Sequence, residues 1–492
     1  MSDNRSEKEN NEWNSTFTFL MAMIGAAVGL GNIWRFSYVL YSNGGGAFFI
    51  PYFVAILIMG IPFLILEYGL GATFKDSLSN ILKKIRPQLE IIGWITAFLV
   101  FLVLTYYVVI MGWDLIYLIL SLFKGWGSNP DNFFMTNIVV GSNDINGITS
   151  FVIPTLLATL FIWIVIWFIS HKALDKGISK VVNFLIPLLF ILMGIIVAYS
   201  LTLPGMYIGI SALLNPNWNL LLNIDVWLAA FGQIIFSLSM GQAIAVTYAS
   251  YLPKNSRLVD NVLIVVASNS GFEIFTAFGV FSILGFMSVT SGMSITEIAT
   301  SGTGLLFVVF PEIFNVMGDM AYIIGPIFFL CVLFAGITSA LAFLEPMTLT
   351  LSRKFRLPRV RAVTILCVFG ALLSLIYTTT SGNYILTIAD AFINQFGIIL
   401  AVILQSLIFG WSYGVDKLLP VLNEHSRINV GRKWILVIKY ILPVFLAIMW
   451  IIGIVDLFKT ESMLDIIIQL IIALLFIVVP LILTILPSRE DI

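Results

Sequence analysis

Apolar stretches of about 20 residues, separated by short polar links, recur along the whole chain. Each is long enough to cross the ~30 Å hydrocarbon core of a bilayer as an α-helix. Sliding along the sequence gives twelve such spans, roughly 16–40, 46–74, 89–123, 150–169, 178–202, 225–251, 258–288, 320–351, 359–379, 383–413, 434–455 and 462–487. Lipid offers no partner to backbone N–H and C=O groups, so runs of this kind must fold as helices. The pattern predicts an all-α polytopic membrane protein. The link after span seven, Thr290 to Gly318, carries a further apolar stretch, Leu305 to Phe310. That stretch is too short to span and reads as part of a helical hairpin lying over one face.

The positions of the basic residues orient the spans, because cytoplasmic links are enriched in Lys and Arg. Arg5 and Lys8 precede span one; Lys75, Lys83, Lys84 and Arg86 follow span two. Lys172, Lys176 and Lys180 follow span four, and Lys254 and Arg257 follow span six. The link after span eight holds Arg353, Lys354, Arg356, Arg359 and Arg361, and Lys417, Arg427, Arg432 and Lys433 lie on the same side. The opposite side holds little beyond Lys124 and Lys459. Both termini are therefore expected in the cytoplasm.

Composition agrees. Of 492 residues, 60% are apolar, 25 are basic and 26 acidic, and the net charge is −1. So few charges cannot clothe a water-exposed globule. A soluble enzyme, a nucleic-acid binder and a disulfide-stapled secreted fold are excluded. The cysteines, Cys331 and Cys367, both lie in apolar runs, which argues against a thiol redox pair. His171 and His425 lie in polar links, away from any intramembrane relay or metal cage. The polar start of the chain has no signal-peptide pattern. The longest external link, Lys124 to Thr149, has no Asn-x-Ser/Thr acceptor, which suits a prokaryotic plasma membrane.

Two spans are interrupted. Span one contains Gly25-Ala26-Ala27-Val28-Gly29-Leu30-Gly31-Asn32, with Arg35 close behind. Span six contains Ser237-Leu238-Ser239-Met240-Gly241-Gln242. They open two blocks of five spans, 16–202 and 225–413, with 434–487 left as two further spans. Discontinuous helices heading two such blocks predict an inverted repeat with a binding site at its interface. Freed carbonyls at a break suit a hard cation such as Na⁺, and the N–H groups starting the outer half-helix suit a carboxylate. Glycine pairs alone would also serve close helix packing. The polar residues beside these glycines favour a site, since burying them unpaired is costly.

Few other ionisable residues stand at membrane depth. Glu67 is placed to accept from N–H groups freed by the breaks. Glu273 follows Asn269 by four residues and shares its helix face. Glu345, before Pro346, reads as interfacial, and Asp390 as lining an outer vestibule.

Together these residues resemble the neurotransmitter:sodium symporter family. Trp13, then Gly25-Ala-Ala-Val-Gly-Leu-Gly-Asn-Ile-Trp-Arg-Phe36, Asn43-Gly-Gly-Gly-Ala-Phe-Phe-Ile-Pro-Tyr52 and Gly60-Ile-Pro-Phe-Leu-Ile-Leu-Glu67 carry the likeness. It continues through Gly232-Gln-Ile-Ile-Phe-Ser-Leu-Ser239, Thr247-Tyr-Ala-Ser-Tyr251, Ser301-Gly-Thr-Gly-Leu-Leu-Phe307 and Ala335-Gly-Ile-Thr-Ser339. The resemblance covers essentially the whole chain, in order. It implies a sodium-coupled symporter, not an enzyme, that takes up a neutral amino acid by alternating access. A channel or transport-like sensor on the same scaffold, or symport of another small carboxylate-bearing amine, is the alternative.

By position, the resemblance implies a first sodium held by the Ala27 carbonyl, Asn32, Ser237 and Asn269. A second would use the carbonyls of Gly25, Val28 and Ala335 with the Thr338 and Ser339 hydroxyls. The substrate carboxylate would meet the Leu30 and Gly31 amides and the Tyr107 hydroxyl, and its side chain would face Val103, Phe236, Ser239, Gln242 and Phe343. Relatives that take amines without a carboxyl group carry Asp where Gly29 stands, so an α-amino acid is expected. Chloride-dependent relatives bind the anion at positions matching Tyr52, Gln233, Ser237 and Glu273. A carboxylate in the last of these would replace the anion, so no chloride requirement is expected. Arg35, Trp13 and Arg353 fall at gate positions. The usual inner pair is absent, because Asn10 and Arg353 occupy its places; a reversed pair of Arg353 with Glu9 or Glu12 is the substitute expected. The acidic partner of Arg35 falls near Ile393 and Asn394.

Overall fold

The computed structural model describes residues 12–141, 145–253, 255–299, 302–459 and 462–488. Ten helices in it are long and apolar enough to cross a membrane: Gly45–Phe74, Pro87–Ser121, Ile153–Ser170, Ile178–Ser200, Leu258–Ser291, Gly318–Phe355, Arg359–Thr378, Gly382–Asn423, Arg432–Val455 and Met463–Ile485. Span one is a pair of helices, Thr16–Ala27 and Leu30–Ser42, bent by 54°. Span six is divided into Ile224–Ser237 and Ile244–Ser250. Ten continuous spans and two divided ones make the expected twelve; each lies within a few residues of its sequence estimate except span ten, which runs ten residues further, to Asn423.

Both divisions have a local cause. The first helix of span one ends where Val28 turns to extended backbone (φ −78°, ψ 95°). The second starts at Gly29, whose N–H is taken by Asn32 Oδ1 at 2.8 Å. In span six, Ser239, Gly241 and Ala243 all have left-handed φ, at 50°, 70° and 60°. Such backbone cannot continue a right-handed helix.

Span three lies at the centre of the bundle, with 94% of its apolar window buried, against 28% for each of spans eleven and twelve. It packs most extensively against span eight. The outer connection after span seven forms a short helix, Ile295–Ile298, and a longer arm, Leu305–Val316. Ser294 caps the short helix. Glu297 accepts its N–H and its hydroxyl at 2.7 and 2.8 Å, and these bonds hold the Glu297 carboxyl below the usual carboxylate range. The longer arm covers the outer side through aromatic contacts: Phe307 lies 5.0 Å from Tyr117 and 5.4 Å from Phe134, and Phe314 lies 6.1 Å from Phe329. This is the hairpin expected from the apolar stretch there.

Candidate functional site

The two breaks meet in the middle of the bundle. Asn32 Nδ2 donates to Asn269 Oδ1 at 2.8 Å, and Asn269 Nδ2 donates to Ser237 Oγ at 2.5 Å. Asn32 begins the outer half of span one, Asn269 sits in span seven, and Ser237 closes the outer half of span six. Three amide and hydroxyl groups, buried to within 3% exposure, therefore converge beside the end of the Thr16–Ala27 helix. Ser239 Oγ adds a bond to the Ala26 carbonyl at 3.2 Å, tying the two breaks together.

A second cluster of oxygens joins span one to span eight. Ser339 Oγ donates to the Gly25 carbonyl at 3.2 Å, and Thr338 Oγ1 lies 3.1 Å from the Ala335 carbonyl. Carbonyl and hydroxyl oxygens alone suit an alkali cation better than a transition metal. Among the described residues no group of three His, Cys, Asp or Glu side chains could hold a metal.

Between these clusters lies the position expected for the substrate. The Tyr107 hydroxyl stands beside the Leu30 amide and the Ser339 side chain, yet neither gives it a hydrogen bond of full geometry. It is a spare buried donor. Tyr107 packs edge-on against Phe343, with ring centroids 5.3 Å apart. Val103 lies one helical turn before Tyr107, and the Gln242 Oε1 atom is buried without a partner in the second break. A Cβ added at Gly29 would lie 2.9 Å from Ser339 Oγ and 3.5 Å from the Tyr107 hydroxyl; one at Gly31 would lie 2.4 Å from Phe236 Cε1. Both glycines keep these approaches close, and a side chain at position 29 would have to displace Ser339.

Glu273, fully buried, sits one step from the first cluster. It accepts from Tyr52 OH at 2.5 Å, Gln233 Nε2 at 2.8 Å and Asn32 Nδ2 at 3.3 Å. The residues expected around an anion thus surround a carboxylate that bonds directly to a residue of the first cluster. Glu67 is buried beside the Gly241 backbone in the second break, without a hydrogen bond of full geometry.

The two ends differ from expectation. Outside, among the described residues Arg35 makes no ion pair within 4.0 Å; the buried acids in its surroundings are Asp390, one turn before Asn394, and Glu273. Tyr106 OH and Asn394 Nδ2 hold Asp390 Oδ1, each at 2.8 Å. The Arg35 guanidinium lies over the Phe236 ring at 4.8 Å, and both line a cavity of about 410 Å³. Inside, Trp13 is buried and donates its backbone N–H to Tyr251 O (2.9 Å) and its indole N–H to Tyr248 O (2.8 Å). Arg353 does not pair with Glu12; among the described residues its ion-pair partner is Asp76, at 4.0 Å. Glu9 and Asn10 lie outside the described residues. The strong inner pair is Glu345 with Arg359, bidentate at 2.5 and 2.8 Å, with Tyr251 OH donating to Glu345 at 2.8 Å. Glu345, expected to be interfacial, is fully buried within the protein.

The family model described as the sodium:neurotransmitter symporter family matches residues 10–129 and 123–486. The chain belongs to the sodium:neurotransmitter symporter family. It is 37% identical over 442 residues to an uncharacterized sodium-dependent transporter of Methanocaldococcus jannaschii, covering 90% of each. It is 30% identical over 491 residues to the sodium-dependent serotonin transporter of Drosophila melanogaster, covering 91% of this chain and 77% of that protein. The crystal structure of MhsT in complex with L-phenylalanine has the same fold, with a TM-score of 0.76 and 30% identity over 90% of this chain and 99% of the other. The chain is therefore a multi-pass, sodium-coupled membrane transporter.

For this symporter, sequence reasoning places the break residues together and misses three groups. Arg359 is hidden among five basic residues, although the preceding Pro358 marks a chain reversal that brings it back to Glu345. Asp390 is recognisable as a vestibule acid, but not as the group held by Tyr106 and Asn394. Gln405, which donates to the Gly241 carbonyl of the second break at 3.0 Å, is an amide inside an apolar run and gives no signal of its own beyond that placement.

Proposed function

We propose that this symporter couples the inward movement of two sodium ions to uptake of a neutral α-amino acid, without chloride. The observation that carries the substrate class is the spare Tyr107 hydroxyl set beside the Leu30 amide at the start of a half-helix. Together they offer a carboxylate two donors and the positive end of a helix dipole. The first sodium is assigned to Ala27, Asn32, Ser237 and Asn269, and the second to Gly25, Val28, Ala335, Thr338 and Ser339. Gly31, Val103, Phe236, Ser239, Gln242 and Phe343 complete the substrate cavity. Gly29, which brings no carboxylate of its own to the site, supports an amino acid over a monoamine. So does the L-phenylalanine in complex with MhsT.

Glu273 supplies the negative charge next to the first sodium, so a diffusible anion is not needed. The basic links holding Lys83, Lys84 and Arg353 support a cytoplasmic side there, in a plasma membrane, with both termini on it. Alternating access would use two gates, Arg35 over Phe236 outside and Trp13 with the Glu345–Arg359 pair inside.

A melting-temperature screen of the standard amino acids with and without Na⁺ tests this reading. A ligand at about 100 times its Kd stabilises the folded state by roughly 2.7 kcal/mol. One or more neutral amino acids should raise the melting temperature only with Na⁺, and their decarboxylated analogues should not. Equal shifts by the analogues would refute the carboxylate anchor.

A further inference from the structure

The break in span six frees backbone groups that its own helices cannot pair. Gly241 stands in its middle with a left-handed φ of 70°, between Ile224–Ser237 and Ile244–Ser250. Its carbonyl accepts from Gln405 Nε2 of span ten at 3.0 Å. Gln405 is fully buried. Among the described residues it is the one side chain that donates to the backbone of 238–243.

Packing at this point is close. A Cβ on Gly241 would lie 2.3 Å from Val402 Cγ2 and 3.2 Å from the Val402 backbone nitrogen. Val402 and Gln405, three residues apart in the helix Ile399–Leu407, share a face. Span ten therefore meets the break with one apolar contact and one amide donor. Turned over, the amide would set Oε1 against the carbonyl oxygen, acceptor against acceptor. As placed, Oε1 is buried without a partner, so the bond to Gly241 is what orients the group.

The position of Gly241 matters because its neighbours belong to the proposed substrate cavity. Ser239, two residues before it, bonds the Ala26 carbonyl at 3.2 Å and ties the two breaks together. Gln242 follows it directly. Ser237, by contrast, precedes the break and is held by Asn269 of span seven. A shift of Gly241 thus disturbs the substrate side of the site before it reaches the first sodium cluster.

We propose that Gln405 is a positioning residue for amino acid binding: its amide holds the Gly241 carbonyl so that Ser239 and Gln242 keep their places. The inference rests on the substrate cavity assigned above, and adds to it a span-ten side chain that touches neither amino acid nor ion. Without the donor, the carbonyl turns to water while the cavity is empty. Closing around the amino acid strips that water and leaves a buried acceptor unpaired, so part of the loss falls on binding.

The test compares full-length wild type, Gln405→Met and Gln405→Glu. Methionine keeps the length of the side chain and removes the donor. Three quantities are read: the sodium-free melting temperature, its shift by Na⁺ alone, and the Kd of the labelled amino acid with the largest Na⁺-dependent melting shift. Gln405→Met should bind that amino acid roughly fivefold or more weakly, with the shift by Na⁺ alone as in the wild type. Gln405→Glu has a donor only while protonated. Relative to the wild type at the same pH, its affinity should be close at acidic pH and fall as pH rises. Glu67 of span two is the titratable group across Gly241. The other charged or titratable neighbours of this stretch are engaged: Lys439 of span eleven with Asp416 at 3.7 Å, Tyr106 of span three with Asp390, and Arg35 over Phe236. Unchanged amino acid affinity in Gln405→Met, or a shift by Na⁺ alone lost to the same degree, overturns the proposal. Should Gln405→Met fail to fold, the Gln405→Glu profile decides: a ratio that falls with rising pH supports it, and a flat ratio overturns it. Absence of Na⁺-dependent binding in the wild type would sink the transport reading and the proposal with it, whereas normal wild-type binding with an unchanged variant sinks the proposal alone.

Discussion

Gly29→Ala probes the tightest point of the proposed site. The added Cβ would lie 2.9 Å from Ser339 Oγ, closer than such contacts allow, and 3.5 Å from the Tyr107 hydroxyl, an ordinary contact. The strain can be relieved in two ways. Backbone adjustment of the break costs about 1–3 kcal/mol, as for other added methyl groups in close-packed interiors. Rotation of Ser339 instead breaks its 3.2 Å bond to the Gly25 carbonyl and withdraws one proposed sodium oxygen. Were the whole cost of the first route borne only by the bound state, it would correspond to roughly a 5- to 150-fold loss of amino acid affinity, an upper bound because strain shared with the free state cancels. The second shifts the sodium dependence to higher concentration. Gly194→Ala in span five is the control, because a Cβ there meets nothing within 4 Å. Equilibrium binding of a labelled amino acid across a Na⁺ series reads both effects. Unchanged affinity and sodium dependence in Gly29→Ala would refute the placement of the site at this break.

Replacing Thr338 with Ala and Ser339 with Val removes both side-chain oxygens of the second cluster; Na⁺-driven accumulation should vanish while the sodium-free melting temperature stays near the wild type. Substituting gluconate for chloride on both sides should leave wild-type uptake intact, and Glu273→Ser should make uptake chloride-dependent. Uptake lost by the wild type in gluconate would show that the carboxylate does not replace the anion. Glu345→Gln leaves the Arg359 guanidinium without its carboxylate and should cost about 3–5 kcal/mol, seen as a lower melting temperature. A double-mutant cycle with Arg359→Gln should recover part of that loss.

The spans are legible in the sequence because a bilayer imposes one length and one chemistry on every helix that crosses it. The breaks are legible for the converse reason: Gly29, Gly31, Ser237 and Ser239 are out of place in an apolar helix unless they line something. The cluster of Asn32, Asn269 and Ser237 joins spans one, six and seven, and no periodicity connects positions so far apart; the family resemblance alone brings them together. Ion pairs are harder to read. Arg359 reaches Glu345 only because Pro358 starts a new helix that turns back, and its four basic neighbours in the link hide it. Arg353 stands where relatives carry an acid, which draws the expected gate to a residue that instead approaches Asp76. Gln405 is one polar letter in span ten, and the carbonyl it holds, freed by the break in span six, is revealed only by the three-dimensional structure.

The most direct measurement of sodium-coupled amino acid uptake is transport into vesicles holding the full-length protein, with an imposed inward Na⁺ gradient. The account predicts that a labelled neutral amino acid accumulates above its external concentration, and that collapsing the gradient with a sodium ionophore releases it. Uptake that only equilibrates, or that proceeds equally when Na⁺ is replaced by K⁺, would contradict it.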